Sequence, residues 1–349
     1  MTTLLRLCGL ALTLFAISGT GAALAQTGSS SDPRAQAQQE RRDTQPGNNA
    51  PVWREVRSGN QGYTSMQGQE VGVLVQSAGE TWRQIRNGPV TVYGGWMLIL
   101  VVLALVAFFT TKGAIKLREK PTGRMLERFN SLERVTHWTV AISFVVLAAS
   151  GLILLFGKHV LLPIIGYTLF SWLTALAKNL HNFIGPLFIL GLLLMMVVYI
   201  RDNFPNAADL QWLAKGGGLL SGKHVPAGRF NAGQKGWFWG GVVLLGIAAS
   251  ASGLILLFPN FDQLRFTMQI AWIVHAAVGL IFMAMGLGHI YIGTIGMEGA
   301  YQAMRLGNVD EAWAKEHHEL WYNEVKKGGA KSAPGGAVPA GAPHMREKQ

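Results

Sequence analysis

Between Arg265 and Glu298 the chain carries no aspartate, glutamate, lysine or arginine. An uncharged stretch of that length exceeds the ~20 residues a helix needs to cross a bilayer. The run itself spans roughly 268–294, and four others share its character, at roughly 92–111, 137–156, 181–200 and 237–258. Lipid offers no partner for free backbone N–H and C=O groups, so such runs must be helices. Composition agrees: 14% of residues are charged, against about a quarter in a soluble domain. The expected fold is an all-α membrane protein.

Five spans put the two ends of the chain on opposite sides, and the loops say which is which. The first loop holds Lys112, Lys116, Arg118, Lys120, Arg124, Arg128 and Arg134, and the third holds Arg201, Lys215, Lys223, Arg229 and Lys235. The other two loops hold only Lys158, Lys178 and Arg265. Basic loops stay cytoplasmic, so the N-terminal segment is expected in the periplasm and the C-terminus in the cytoplasm of a bacterial inner membrane. This alternation also accounts for the net charge of +11 without nucleic acid. Residues 1–26 read as a signal peptide, with Arg6, an apolar core and ALA before Gln26, which fits an outward start. Residues 27–91 are polar and read as a largely disordered periplasmic segment, and 328–349 as a disordered cytoplasmic tail. Within 157–178, Pro163 and Gly166 interrupt an apolar stretch, which suggests a surface-lying helix rather than a sixth span. The string SGLILLF occurs at 150–156 and again at 252–258. It records either a duplicated helix pair or a coincidence of apolar sequence.

The sole cysteine, Cys8, lies in the signal-like segment, so disulfides, iron–sulfur clusters and cysteine-held zinc are not expected in the mature chain. Histidine is the remaining candidate metal ligand. An ionisable residue inside a span is costly and marks function, and His137, His181, His275 and His289 meet that test. His275 and His289 are 14 residues apart on one helix (289 − 275), which is close to four turns and ~21 Å of rise, so both point to one face. With the second span starting on the cytoplasmic side at His137 and the third on the periplasmic side at His181, depth pairs His137 with His289 and His181 with His275. Glycine follows one turn after three of them, at Gly185, Gly279 and Gly293, and Ala141 follows His137. A porphyrin edge against a helix needs such small residues, as close helix approach does. The pattern is imperfect, since loop residue His224 precedes Gly228 in the same way. The expectation is bis-histidine heme at two depths; zinc or copper would want its ligands gathered at one point. His159, His224, His317, His318 and His344 fall outside the spans and are read as solvated.

A heme iron with two axial imidazoles has no open position and transfers electrons. The chain has no G-x-G-x-x-G and no C-x-x-C, so the electron donor is expected on another subunit and the acceptor to be quinone, either menaquinone or ubiquinone. The segment RFNAGQK (229–235) offers Asn231 and Gln234 to a quinone carbonyl and Lys235 or Arg229 to the reduced anion. Equally, Asn231 can be a helix N-cap and Lys235 a snorkelling side chain.

LERVTHWTV, HNFIGPLF, RFNAGQKGWFW, IVHAAVGLIFMAMGLGHIYI and AWAKEHHELWY together resemble the gamma (cytochrome b) subunit of respiratory formate dehydrogenase, over roughly 125–327. The resemblance implies a four-helix transmembrane diheme cytochrome b bundle, here with the span at 92–111 added. It implies two heme b groups on the same histidine pairs and quinone reduced near the inner, cytoplasmic heme beside Asn231. The implied partners are a periplasmic iron–sulfur beta subunit and a molybdenum- or tungsten-containing alpha subunit. Formate oxidation would then lie off this chain, in a complex open to higher oligomerisation. Cytochrome subunits of hydrogenases or other molybdenum oxidoreductases share such hemes. A histidine-dependent proton-coupled transporter would instead show helix breaks near the bilayer midplane.

Overall fold

The computed structural model describes residues 78–218, 225–261 and 263–328, with isolated positions between 33 and 58. The signal-like segment, most of the polar stretch after it, His224 and the tail with His344 lie outside the described residues. Five helices are long and apolar enough to cross a membrane: α1 (Gly79–Lys112), α2 (Ser131–Val160), α3 (Leu162–Asn203), α5 (Ala232–Leu257) and α6 (Arg265–Gly296). Short helices α4 (Ala207–Ala214), α7 (Ala300–Leu306), α8 (Glu311–His317) and α9 (Glu319–Lys327) complete the chain. It is an all-α membrane protein. Strands β1 (Met125–Glu127) and β2 (Asn308–Asp310) form one antiparallel pair, with Leu126 opposite Val309.

Two expectations need correction. Helix α1 reaches back to Gly79, so the segment read as unstructured through residue 91 ends earlier. The surface-lying helix at 157–178 is also absent. Gly166 (φ 76°) makes a single kink, and the chain then stays helical to Tyr199. His181 therefore lies inside its helix, not at its head. At φ 76° and ψ 172° Gly166 takes a conformation open to glycine, and it separates the single turn before it from the helix that runs on through His181. The stretch α6 Arg265–Tyr291 is continuous α-helix through both of its histidines.

Two compact units divide the chain. One contains Ala149–Leu180, Gly253–Ile273 and the described residues up to Val92. In it Arg86 lies over the rings of Trp82 and Trp272 at 5.3 and 5.0 Å, and the two indoles meet edge to face. The other contains Tyr93–Ala148, His181–Ser252 and the described residues from Val274 on. Its helices meet at glycines, as close packing in lipid requires. A Cβ on Gly191 would fall 3.0 Å from Val140, one on Gly246 2.9 Å from Leu192, and one on Gly286 3.0 Å from Phe144, while Gly94 is pressed against Leu280. These crossings bring α2, α3, α5 and α6 around Phe188, Leu192, Met195, Phe238 and Phe282, with α1 against α6.

The structure favours duplication as the origin of the repeat. R-F-N recurs at Arg128–Asn130 and Arg229–Asn231, and the two copies bond reciprocally. Arg128 Nη2 donates to the Arg229 carbonyl at 2.8 Å, and Arg229 Nη2 donates to the Arg128 carbonyl at 2.7 Å. Phe129 and Phe230 stack between them at 6.1 Å. Each asparagine opens a reciprocal capping box, Asn130 with Glu133 and Asn231 with Gln234, so each motif starts a transmembrane helix. From Arg128 to Ser150 the first copy runs 22 positions (150 − 128), whereas Arg229 to Ser252 runs 23 (252 − 229). The extra residue is absorbed in the π-helical stretch Trp237–Leu245, which is how a helix takes an insertion.

Candidate functional site

Three of the four histidines keep their expected places: His137 in the second turn of α2, and His275 and His289 on α6. All four lie in the second unit, and they meet as two pairs. His137 and His289 stand with ring centroids 6.2 Å apart and planes at 55°. His181 and His275 stand at 6.0 Å and 80°. An imidazole nitrogen holds a first-row metal at about 2.0–2.1 Å and the ring centre lies about 1.1 Å behind it, so two trans imidazoles on one metal put their centroids about 6.3 Å apart. Both pairs match that figure.

The surroundings fit a planar group between the imidazoles. A Cβ added at Gly185, Gly279 or Gly293 would meet no atom within 4 Å. These three glycines thus leave room beside the helix, unlike Gly191, Gly246 and Gly286, which are filled by neighbouring helices. Among the described residues no three His, Cys, Asp or Glu gather as a metal cluster. A pair of imidazoles alone is a poor cage for a bare ion but suits a metal whose other four positions a macrocycle fills. His275 also has the supporting contact such a ligand needs. Its Nδ1 lies 3.0 Å from the Ala249 carbonyl and 3.2 Å from Ser252 Oγ. That carbonyl accepts a hydrogen bond from Nδ1–H, which leaves Nε2 free to bind a metal. His181 bonds the Leu147 backbone, and His137 Nδ1 is buried with no partner among the described residues.

The repeat relates the two pairs differently. His181 and Gly185 of α3 correspond to His275 and Gly279 of α6 in the shared pattern H-x-x-x-G-x-x-F, so this pair comes from equivalent positions. In the same registers His137 corresponds to Phe238, His289 to Met195 and Gly293 to Tyr199. Those three counterparts are all buried in the apolar core.

Around RFNAGQK the structure separates the suggested quinone contacts. The side-chain oxygens of Asn231 and Gln234 are occupied by the capping box, at 2.9 and 3.0 Å, which leaves their amide NH2 groups as donors. Lys235 does not snorkel. It is 5% exposed and its Nζ lies 2.7 Å from Asp209 Oδ2, which ties α4 to the start of α5. Arg229 is bonded to Asp202 and to Glu133. Both cations are therefore committed within the protein.

His318 was expected in solvent and is instead 2% exposed. Its Nδ1 lies 2.7 Å from the Gly228 carbonyl and its Nε2 2.9 Å from Arg128 Nη2. The neutral ring therefore donates to the carbonyl and accepts from the guanidinium. Burial, with Arg128 beside it, holds its pKa well below the usual histidine value. Arg128 sits over Phe129, Phe230, Trp313 and Trp321 at 5.0–6.0 Å, a desolvated cation–π cluster. Burial, then Arg229 nearby, lowers its pKa to about 9, still cationic at neutral pH. This cluster seats the C-terminal helices on both R-F-N motifs. The recurrence of R-F-N was the sequence signal for it; nothing in the sequence marked Asp209 or Trp237.

The prokaryotic cytochrome b561 family profile matches residues 128–307. The chain is 32% identical over 220 residues to the nitrate-inducible formate dehydrogenase cytochrome b556 (Fdn) subunit of Escherichia coli K12, covering 60% of this chain and 95% of that one. It is 32% identical over 216 residues to the cytochrome b556 (fdo) subunit of formate dehydrogenase from the same strain, covering 59% and 96%. It is 28% identical over 210 residues to the formate dehydrogenase cytochrome b556 subunit of Haemophilus influenzae, covering 56% and 82%. Helix α1 and the residues before it precede the matched family region.

Proposed function

The chain belongs to the prokaryotic cytochrome b561 family, and from that premise we propose that it is the membrane-anchoring, electron-transfer cytochrome b subunit of a formate dehydrogenase complex. The observation that carries this reading is the pair of imidazole couples at 6.2 and 6.0 Å. Two b-type hemes, ligated by His181 with His275 and by His137 with His289, would supply one-electron transfer at two depths. The protein's part is to hold each imidazole at its distance, to keep small residues at Gly185, Gly279 and Gly293, and to exclude other ligands.

The basic first and third loops support a cytoplasmic location for R-F-N, the short helices and the C-terminus. On that orientation His181 and His275 form the outer pair, facing a periplasmic iron–sulfur subunit that receives electrons from a molybdenum- or tungsten-containing catalytic subunit. His137 and His289 form the inner pair. Quinone would be reduced beside it, its carbonyl accepting from the amide NH2 of Asn231 and of Gln234. Formate oxidation would lie on the catalytic partner subunit, with this chain carrying the electrons away from it.

A reduced-minus-oxidised spectrum with a heme assay tests the reading. Two hemes per chain are expected, and one should disappear in His275→Ala while the other persists. A colourless protein would end the proposal.

A further inference from the structure

We propose that Trp237 is a positioning residue that fixes the plane of the His289 imidazole, and that the second helix repeat replaced a heme ligand with this support. The inference rests on the bis-histidine reading above. Among the described residues, Trp237–His289 is the one histidine contact with nearly parallel planes, at 4.8 Å and 11°. His137 meets Trp138 edge-on at 86° instead.

The indole is itself held in a slot. A Cβ on Gly241 would fall 2.6 Å from it, and one on Gly286, across on α6, 3.9 Å from it. Phe282 packs on it at 5.7 Å. A side chain at Gly241 would drive the indole out, so that glycine is part of the support. Trp237 begins the π-helical stretch that holds the extra residue of the second repeat, and π-bulges commonly serve to re-aim a functional side chain.

The need for the support follows from what His289 lacks. The second torsion of a histidine is broad and soft, and metal-bound imidazoles are ordinarily fixed by a hydrogen bond from the second ring nitrogen. His275 has that bond, to Ala249. His289 makes no hydrogen bond to a described residue, and the parallel indole takes over the task. In the register of the repeat, Trp237 stands where the first copy has Thr136, and Phe238 where it has His137. The first copy gives the inner layer a ligand; the second gives it a flat surface that orients the opposite ligand.

Ligand-plane orientation sets the splitting of a low-spin ferric heme signal in electron paramagnetic resonance. The oxidised, purified complex therefore tests the proposal through Trp237→Phe, which keeps a flat ring, and Trp237→Leu, which keeps apolar bulk without one. The inner signal is first assigned as the one missing from His137→Ala. In Trp237→Leu its low-field feature should shift and broaden while the outer signal stays in place, and Trp237→Phe should retain the wild-type position. An unshifted inner signal in Trp237→Leu would overturn the proposal, as would equal displacement in both variants. If Trp237→Leu loses the inner heme, retention with the wild-type signal in Trp237→Phe supports the role and loss in both defeats it. Wild-type protein without two low-spin signals would refute the bis-histidine reading instead, which keeps the two failures distinct.

Discussion

Lys235→Met should destabilise the protein by an amount that its setting fixes. The Lys235 and Asp209 side chains are 7% and 12% exposed, with Nζ and Oδ2 at 2.7 Å. Removing one member of a buried pair leaves the other charge desolvated and costs about 3–5 kcal/mol. At about 2–4 °C per kcal/mol for a domain of this size, the melting midpoint should fall by about 6–20 °C. Asp209 Oδ2 also accepts the Asn206 backbone N–H at 2.7 Å, so the compensating change must keep an oxygen there. Asp209→Asn/Lys235→Met removes both charges and retains that acceptor, and it should recover to within about 1 kcal/mol of wild type. Thermal loss of heme absorbance follows stability, and turnover at limiting quinone follows function. Recovery of both in the double variant is expected, because Lys235 serves the fold of the α4–α5 junction. Stability restored with quinone turnover still lost would refute this and return Lys235 to the quinone site. An undiminished midpoint in the single variant would refute the energetics.

His137→Ala should remove the inner heme and quinone reduction while sparing the outer heme, measured by heme content and spectrum. Gly279→Leu meets no protein atom at its Cβ, so the fold should persist by circular dichroism while the outer heme is lost; a normal heme complement would show that the space beside Gly279 is not used. Asn231→Ala removes both a helix cap, costing about 0.5–2 kcal/mol, and a candidate quinone donor, so turnover at limiting quinone should fall with both hemes intact. His318 is neutral in the fold, whereas an unfolded histidine takes up its proton near pH 6.5. Below that pH the unfolded chain binds the proton that buried His318 does not, so stability falls as pH drops through about 6.5 toward the lowered folded value. Amide exchange in α8 and α9 should accelerate over that window. His318→Gln, which can donate to Gly228 and accept from Arg128, should abolish the dependence.

The five spans and the histidine pairing could be read before any coordinates because both are periodic properties of single helices. Bilayer thickness sets the length of an apolar run, and helical pitch sets which side of α6 presents His275 and His289. The same reasoning put His181 at the head of its helix, since Pro163 and Gly166 look like breakers; in the structure the break at Gly166 comes early and the helix after it runs through His181. It also left His318 in solvent, because no local pattern reveals that a residue far along the chain meets Arg128.

Sequence by itself determined the number of spans, their alternating flanks and the four imidazoles, since each follows from local composition and pitch. Only the tertiary structure decided that Lys235 is committed to Asp209, that His318 is buried against Arg128, and that Trp237 lies flat on His289. Those contacts join segments that no helical period relates. Whether a charge is free, or a ring is held, depends on which distant surface is pressed against it, and only the packed fold specifies that.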